Sequence, residues 1–469
     1  MTAHTATKYH PHVKLIFIGS FLFLVFASAA AMGFNTKLKY GQGRNASTLL
    51  YALDRYTENS ELLQGKIQAE KYLKTRTIAD DTIEAHIPSV GKFISADLDH
   101  MELALYENHL LLKKYPIIAK GKPGSFWETP SGDYQILAKV GTHFSSVGEV
   151  YMPWSMQFNG NFFIHGWPYY PDGRDVALGY SGGCIRMKTD DAKEIYEFSK
   201  TSTPIFVYEK SDEMAETRAL FSLKNIPPPE ISAQAYIVAD VNTGEVFLDK
   251  NIDTPMPIAS LTKLMTAIVA NEVIMFDRKI TITPEVVETL GESGNLKAGE
   301  VMTANDVLYP LLMESSNDAA RAFSAYYGES SFISHMNKKA KAIGMKNTTY
   351  ADSSGILSGN TSTVYDLYIL SKYLKNNKSF ILNITRLPTK KITSSFQVHN
   401  FGNFNVFSAE KNFLGGKTGY TRAANGTMIS LFEIPIGNEK RNIAFIVLSS
   451  QNQEKDVRAL LTWFEEAAS

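Results

Sequence analysis

Residues 181–186 read SGGCIR, and they contain Cys184, the only cysteine in the 469-residue sequence. A histidine followed by glycine, His165-Gly166, lies 19 positions before that cysteine. A thiol attacks a carbonyl group as the thiolate, and a free cysteine is mostly protonated near pH 7. The cysteine therefore needs a base or an imidazolium nearby, and His165 is the candidate.

The residues beside Cys184 also suit acyl transfer. The glycine pair that ends at Gly183 lets the backbone turn, so that amide groups there can point at a developing oxyanion. Arg186 is suited to hold a substrate carboxylate through two parallel hydrogen bonds. The alternative is a buried cysteine that acts only as a small apolar residue, and the specific motif around it argues against that interpretation.

A second nucleophile pattern lies in the other half of the chain. It consists of SLTK at 260–263, SSN at 315–317 and KTG at 417–419. Ser260 and Lys263 are one helical turn apart, so their side chains share a face. A lysine held in a dry site has a lowered pKa and can accept the serine proton. Each motif alone is weak, since the second reads equally well as a helix cap and the third as a surface turn, but chance hardly explains all three in this order.

The N-terminal part predicts export. Residues 15–34 form a weakly polar to apolar run that is long enough to cross a bilayer as a helix. Residues 29–31 (AAA) also offer a signal-peptide cleavage site, so residues 1–34 are either a retained anchor or a cleaved signal. Both alternatives place the rest of the chain outside the cytoplasm, in the periplasm or cell wall. Residues 35–89 are polar and mixed in charge, and we interpret them as a stalk.

Two folded domains are expected after the stalk. Residues 90–208 are predicted to be mainly β, with strands near 93–98, 102–106, 110–119 and 134–140. Residues 209–230 are charged and end in three consecutive prolines, which is typical of a stiff connector.

The remaining residues, 231–469, predict an α+β domain. Hairpin strands open it near 235–240 and 245–248, and apolar residues at helical spacing follow near 261–269. Two strands (427–434 and 443–449) and a final helix (457–468) close it. Strands at both ends with helices between them indicate a three-layer arrangement in which distant segments share one sheet.

Residues from about 91 to 208 resemble the L,D-transpeptidase catalytic domain. The resemblance rests on GKPG at 121–124, TPSG at 129–132, IHG at 164–166 and the Ser-x-Gly-Cys-x-Arg motif. It implies a small β-sandwich-like fold in which Cys184 is the nucleophile and His165 its general base. The implied reaction transfers an acyl group from the L-centre of the diamino acid in a peptidoglycan tetrapeptide.

This sequence departs from that family at one position. Many members have a histidine immediately before the Gly-Cys pair, and Gly182 stands there in this chain. The departure leaves the upstream base, His165, in place and leaves the rate and the substrate pose open.

Residues from about 229 to 450 resemble the low-molecular-mass penicillin-binding proteins of the D-alanyl-D-alanine carboxypeptidase family. The resemblance rests on PIAS at 257–260, DSSG at 352–355 and KTGYT at 417–421. It implies roles for six residues: acyl-enzyme formation at Ser260, proton acceptance by Lys263, proton relay by Ser315, substrate positioning by Asn317, and binding of the terminal carboxylate by Lys417 with Thr418. It also implies that β-lactams are covalent inhibitors. A class A β-lactamase shares the three motifs, but no Glu-x-x-Leu-Asn-like segment lies between 317 and 417.

Together the two resemblances predict a peptidoglycan-modifying enzyme that trims stem peptides at Ser260 and crosslinks the products at Cys184. Three alternatives stay open. In the first, the serine half is an endopeptidase that cuts D,D crosslinks. In the second, the thiol half hydrolyses its substrate or attaches a lipoprotein. In the third, one half is a catalytically inactive wall-binding module. The sequence predicts no cofactor and no metal cluster. The net charge of −1 gives no reason to expect nucleic acid as a partner. The expected partners are peptidoglycan stem peptides and, through residues 15–34, the plasma or inner membrane.

Overall fold

The computed structural model describes residues 76–77, 82–209, 223–288, 294–437 and 439–468. Residues from 71 to the end of the chain form one compact unit. The predicted anchor or signal at 15–34 and most of the predicted stalk lie outside the described residues. Within the described ranges, no helix has both the length and the apolar character that a bilayer crossing requires.

We call residues 82–209 the thiol domain. Its elements are α1 (Ile83–His86), β2 (Lys92–Asp97), β3 (Glu102–Glu107), β4 (Leu110–Pro116), β5 (Gly132–Gln135), β6 (Ala138–Ser145), β7 (Val150–Asn159), β8 (Phe162–His165), β9 (Ile185–Arg186), α2 (Thr189–Phe198) and β10 (Pro204–Tyr208); a two-residue strand β1 (Arg76–Thr77) precedes them. One sheet has the strand order β4-β3-β2-β10-β5, and the other has the order β6-β7-β8-β9. Apolar side chains from both sheets and from α2 form one core, as the mainly-β prediction requires.

The single strand predicted near 134–140 is two strands, so that part of the prediction was wrong. The amide of Ile136 donates to Thr203 O at 2.9 Å, whereas the amide of Leu137 donates to Gln157 O at 2.7 Å. Consecutive amides thus point to different sheets. The chain therefore crosses from one sheet to the other between Ile136, which is buried, and Leu137, which is exposed.

We call residues 223–468 the serine domain. Its strands are β11 (Ala235–Asp240), β12 (Glu245–Lys250), β13 (Met256–Pro257), β14 (Lys279–Thr281), β15 (Val301–Thr303), β16 (Thr361–Ser362), β17 (Thr389–Thr393), β18 (Val398–Gly402), β19 (Phe413–Thr421), β20 (Asn425–Ile436) and β21 (Glu439–Ser450). Its helices are α3 (Thr262–Val273), α4 (Pro284–Val287), α5 (Ala304–Leu312), α6 (Asn317–Tyr327), α7 (Glu329–Ala342), α8 (Val364–Asn377), α9 (Ser379–Thr385) and α10 (Gln453–Ala468).

The main sheet of the serine domain has the order β1-β12-β11-β21-β20-β19. The opening hairpin therefore lies beside the closing strands, and β11 pairs antiparallel with β21. This confirms the prediction that distant segments share one sheet. Residues on one face of the sheet pack with α10, and residues on the other face pack with the larger helical layer around α3. The main sheet lies between these two apolar clusters, so the layers are α10, the sheet and the helices around α3.

The segments that flank the thiol domain also contact the serine domain. Backbone pairing joins β1, near the end of the predicted stalk, to β12. In the proline-rich segment, the amide of Lys224 donates to Ala467 O at 2.8 Å, and the indole of Trp463 donates to Ile226 O at 3.1 Å. The described part of the linker thus lies against α10.

The two domains also meet directly, where side chains of the thiol domain contact a buried ion pair of the serine domain. The Glu272 carboxylate, in the last turn of α3, lies 2.7 Å from Lys339 Nζ and accepts a hydrogen bond from Asn159 Nδ2 of the thiol domain at 2.9 Å. Lys339 Nζ also donates to the Tyr134 hydroxyl of the thiol domain at 2.7 Å. The side chains of Glu272 and Lys339 are only 3% and 2% exposed, so this contact is desolvated.

A loop of the thiol domain, residues 121–131, completes the contact, and we call it the interface loop. The ring of Phe126 packs edge-on against Phe276 and Phe380, with ring centroids 4.7 and 4.6 Å apart. Asn271 Nδ2, in α3, donates to Phe126 O at 2.9 Å. The same helix that carries the predicted serine nucleophile at its start therefore holds the thiol domain at its end.

Two candidate active sites

The predicted serine site forms at the start of α3. Ser260 lies in a 3₁₀ turn, Ala259–Leu261, that leads into the helix. Lys263 Nζ lies within hydrogen-bond distance of Ser260 Oγ, at 2.9 Å, and donates to Asn317 Oδ1 at 2.7 Å. Its third hydrogen bond goes to the carbonyl oxygen of Ser354 at 2.6 Å. The structure thus brings together three of the four residues that the first two motifs predicted.

The surroundings of Lys263 favour its neutral form. The side chain is completely buried, and burial lowers the pKa of its amine well below the usual value. The positive charge of Lys417 lowers that pKa further, whereas the carboxylate of Asp352 opposes the change. A neutral amine has a free electron pair, so Lys263 is able to accept the Ser260 proton as the hydroxyl attacks.

The third motif lies on β19, the edge strand of the main sheet. Lys417 Nζ donates to Ser315 Oγ at 2.8 Å and to the carbonyl oxygen of Thr418 at 2.8 Å. Burial lowers the pKa of Lys417 to about 7. Ser315 has a φ angle of 59°, which is uncommon for a residue with a side chain and is typical of positions held by their surroundings. The edge strand thus presents its cation to the predicted proton relay.

One contributor to the serine site was missed from the sequence. Residues 352–355 were part of the family resemblance, but no role followed for them from the residues alone. The Asp352 carboxylate accepts from the Ser354 hydroxyl and from the amides of Gly355 and Leu357. Burial by itself would raise the pKa of Asp352, but these hydrogen bonds hold it below the usual value. The resulting turn aims the Ser354 carbonyl at Lys263, and the only available signal was the Asp-x-x-Gly turn pattern.

The predicted thiol site forms where β8 and β9 run side by side. The strands pair parallel, with Ile164 opposite Ile185 and His165 opposite Arg186. Cys184 comes directly before β9 and falls opposite Phe163, so the alternation of side chains places it on the same face of the sheet as His165. Both Cys184 and His165 line a cavity of about 600 Å³. The structure thus places the predicted nucleophile and its predicted base in one cavity, without a direct hydrogen bond between these two side chains.

The pKa values of the pair indicate a neutral resting state. Burial raises the pKa of the Cys184 thiol to about 11, although a backbone hydrogen bond at Phe163 and the charge of Arg186 act in the other direction. Burial lowers the pKa of His165 to about 4. His165 Nδ1 lies 2.6 Å from Gly166 O, which makes Nδ1 the protonated nitrogen and leaves Nε2 as the acceptor. A neutral imidazole beside a neutral thiol fits a general base that takes the proton during attack.

This resting state predicts the pH dependence of alkylation at Cys184. Iodoacetamide reacts with the thiolate, so the rate constant should rise about tenfold per pH unit between pH 6 and pH 9 without a plateau. Intact-protein mass spectrometry measures it, since Cys184 is the only cysteine. A plateau reached below pH 7 would show a thiolate–imidazolium pair at rest and contradict the neutral assignment.

The two glycines before Cys184 have different requirements. Gly183 has a φ angle of 99°, and a Cβ atom there would overlap the ring of Phe162. Gly182 has open space around the corresponding position. The Gly183 amide donates to Ser181 Oγ at 3.1 Å, and the predicted role of this amide toward an oxyanion stays a prediction.

Alanine substitutions should therefore separate the two positions. Gly183→Ala is expected to destabilise the protein by about 2–4 kcal/mol, because it combines a left-handed backbone with an overpacked site. Gly182→Ala is the matched control and should change the free energy of unfolding by no more than about 0.5 kcal/mol. Urea unfolding followed by tryptophan fluorescence measures both. Equal values for the two variants would show that the close approach to Phe162 is unimportant.

Arg186 and His143 also line the thiol domain's side of the cavity. The guanidinium of Arg186 lies over the ring of Trp167, 5.4 Å from its centroid, and its Nη1 is 3.5 Å from the carbonyl oxygen of Ala177. His143, on β6, stacks on Phe163 with ring centroids 4.7 Å apart. Arg186 was predicted from the motif, whereas His143 was not, since nothing in its local sequence distinguishes it from a surface histidine.

Comparison with known protein families finds a match in each half of the chain. The profile of the D-alanyl-D-alanine carboxypeptidase family matches residues 223–450, and that of the L,D-transpeptidase catalytic domain matches residues 91–207. A D-alanyl-D-alanine endopeptidase of Pseudomonas aeruginosa is 33% identical over 221 residues, which is 43% of this chain and 70% of the relative. The endopeptidase of Haemophilus influenzae is 33% identical over 259 residues, covering 52% of this chain and 84% of the relative.

The serine half is also similar to a carboxypeptidase of known sequence and to one of known structure. The D-alanyl-D-alanine carboxypeptidase DacD of Escherichia coli is 28% identical over 269 residues, 52% of this chain and 67% of the relative. The crystal structure of a D-alanyl-D-alanine carboxypeptidase from Mycobacterium tuberculosis superposes with a TM-score of 0.47 at 26% identity, over 51% of this chain and 92% of the other.

Proposed function

This chain belongs to the D-alanyl-D-alanine carboxypeptidase family and carries an L,D-transpeptidase catalytic domain ahead of that part, and on this basis we propose that it trims peptidoglycan stem peptides and then crosslinks them. The observation that carries the proposal is that a nucleophile with its proton acceptor is present in each domain. Lys263 Nζ lies at hydrogen-bond distance from Ser260 Oγ, and Cys184 shares a cavity with His165. The membrane anchoring and the extracytoplasmic location remain part of the proposal.

In the trimming step, Ser260 Oγ attacks the carbonyl of the penultimate D-alanine of a pentapeptide. Lys263 takes the hydroxyl proton, and Ser315 delivers a proton to the amine of the departing D-alanine. Lys417, held beside Ser315, is placed to bind the terminal carboxylate of the substrate. Water then cleaves the ester, which releases the tetrapeptide and restores the serine.

In the crosslinking step, Cys184 Sγ attacks the carbonyl of the L-centre of the diamino acid in the tetrapeptide. His165 takes the thiol proton and gives it to the amine of the departing fourth residue, which leaves a thioester. A side-chain amine of a neighbouring stem attacks that thioester, forms the new amide bond and loses its proton through His165. The thiol is regenerated at the end of the cycle.

Mass spectrometry of muropeptides tests the two steps together. The full chain is incubated with a pentapeptide monomer, beside the Ser260→Ala and Cys184→Ala variants. We expect loss of one D-alanine that depends on Ser260, followed by a dimer that depends on Cys184. The Ser260→Ala variant should still crosslink when tetrapeptide is supplied directly. Trimming without any dimer from either donor would refute the crosslinking half of the proposal.

A second candidate function is D,D-endopeptidase activity of the serine domain. It is favoured by the two relatives at 33% identity, both of which are named as D-alanyl-D-alanine endopeptidases. In that case the serine domain would open existing crosslinks, and the thiol domain beside it would act as an L,D-hydrolase or bind the cell wall. Dimeric D,D-crosslinked muropeptides separate the alternatives, because a carboxypeptidase leaves them intact and an endopeptidase converts them to monomers.

A further inference from the structure

The cavity that contains Cys184 is walled by both domains. Most of its lining comes from the thiol domain, including the β6–β7 hairpin and the interface loop. The serine domain closes the opposite side with Asn271, Met275 and Arg278, from the end of α3 and the turn after it, and with Tyr326 from α6. The thiol site is therefore incomplete without the serine domain.

The charged residues in this lining are all positive. Among the described residues that line the cavity, Arg186 and Arg278 carry full positive charges, and no aspartate or glutamate is present. A cavity that holds two guanidinium groups and no carboxylate favours an anionic ligand. Arg186 and Arg278 belong to different domains, so they approach the cavity from opposite walls.

The backbone around Arg278 is fixed, whereas its side chain is available. The Arg278 amide donates to Met275 O at 3.0 Å, and the Arg278 carbonyl accepts from the amide of Ala304 at 2.8 Å. The residue is exposed, and its guanidinium makes no ion pair with any residue in the described ranges. By contrast, Arg186 is buried and lies over Trp167. Arg278 is thus a solvated cation held at the rim of the cavity.

We propose that Arg278 of the serine domain forms a second carboxylate-binding subsite of the thiol cavity, opposite Arg186. The inference rests on the proposed function, since its ligand is the stem peptide that Cys184 acylates. Stem peptides are acidic and carry carboxylates away from the reacting carbonyl. Arg278 binds one of these carboxylates, while Arg186 binds the part of the stem peptide nearer Cys184. The serine domain thereby takes part in selecting the acyl donor for the thiol domain.

Binding and acylation of a synthetic stem tetrapeptide test this role. Binding is measured by titration calorimetry on the full chain carrying Cys184→Ala, with and without Arg278→Ala. Acylation is measured as D-alanine release from the same tetrapeptide by the chain with Cys184 intact. Loss of a hydrogen bond to a charged group should weaken binding and raise KM about tenfold or more, while kcat changes less than about threefold.

A second peptide distinguishes contact with the carboxylate from a structural effect. When the carboxylates away from the C-terminus are amidated, the chain with Arg278 should lose affinity, whereas Arg278→Ala should bind the acidic and the amidated peptide equally. Arg386→Ala is the matched control, because Arg386 is an exposed arginine of the same domain that does not line the cavity. Release of D-alanine from a pentapeptide by Ser260 should be unchanged in both arginine variants.

The outcomes separate this inference from the proposed function. If the parent chain binds and turns over the tetrapeptide and Arg278→Ala does so equally well, the subsite is refuted and the crosslinking proposal stands. If the parent chain neither binds the tetrapeptide nor releases D-alanine from it, the crosslinking proposal fails and the subsite fails with it.

Discussion

Replacing Lys263 by methionine is expected to slow acylation of Ser260 by about 10³-fold, within the range of 10²–10⁴ that general acid–base catalysis usually provides. Lys263 Nζ lies 2.9 Å from Ser260 Oγ, and burial together with the charge of Lys417 favours its neutral form. Methionine fills a similar volume without an acceptor for the serine proton. Labelling with a fluorescent penicillin, measured as a second-order rate constant, gives the result directly.

Arginine at the same position separates proton acceptance from charge. A guanidinium keeps the positive charge but is not deprotonated in proteins, so Lys263→Arg should be as slow as Lys263→Met. Lys279→Met, at an exposed lysine of the same domain, should label at the parent rate. Labelling of Lys263→Arg within about tenfold of the parent would show that Lys263 acts through its charge and that another group takes the proton.

The second large effect is expected at the buried ion pair of the serine domain, Glu272 with Lys339, to which Asn159 and Tyr134 of the thiol domain are hydrogen-bonded. Glu272→Ala should lower the free energy of unfolding by about 3–5 kcal/mol, because it leaves Lys339 buried without a counter-charge. Burial would raise the pKa of Glu272, but the ammonium groups of Lys339 and Lys378 and the hydrogen bonds to the carboxylate hold it below the usual value, so the carboxylate is ionised. Urea unfolding followed by tryptophan fluorescence measures the change.

A surface pair provides the control for that experiment. Glu433 lies 2.6 Å from Lys440, and their side chains are 38% and 70% exposed. Glu433→Ala should cost no more than about 1 kcal/mol, as exposed ion pairs contribute little. If Glu272→Ala were no more costly than Glu433→Ala, the buried pair would not be what holds the thiol domain on α3.

Much of both sites was predictable because the relevant residues are close in sequence or follow a periodic pattern. Ser260 and Lys263 are one helical turn apart, and the alternating strands at the two ends of the serine domain predicted a shared sheet. Cys184 and His165 are only 19 positions apart, at the ends of two short apolar stretches. In each case a local rule of geometry brings the side chains together.

The contact between the domains could not be predicted in that way. Asn159, Glu272 and Lys339 are separated by more than 60 residues at each step, and no periodicity connects them. In sequence, Lys339 reads as a solvated lysine in a helix with several other lysines, yet it is 2% exposed. Burial of a charge depends on a partner from elsewhere in the fold, so a single sequence does not reveal it.

The course of α3 has a consequence for how one molecule handles its substrate. The helix has twelve residues, which at 1.5 Å per residue is about 18 Å from the serine turn to the residues that wall the thiol cavity. A fully extended pentapeptide reaches about 17–18 Å. A stem held by its end at Ser260 therefore has no slack left to present a carbonyl inside the second cavity. Under the proposed function, this spacing favours simultaneous occupation of the two sites by two different stems, one trimmed at Ser260 while the other is joined at Cys184.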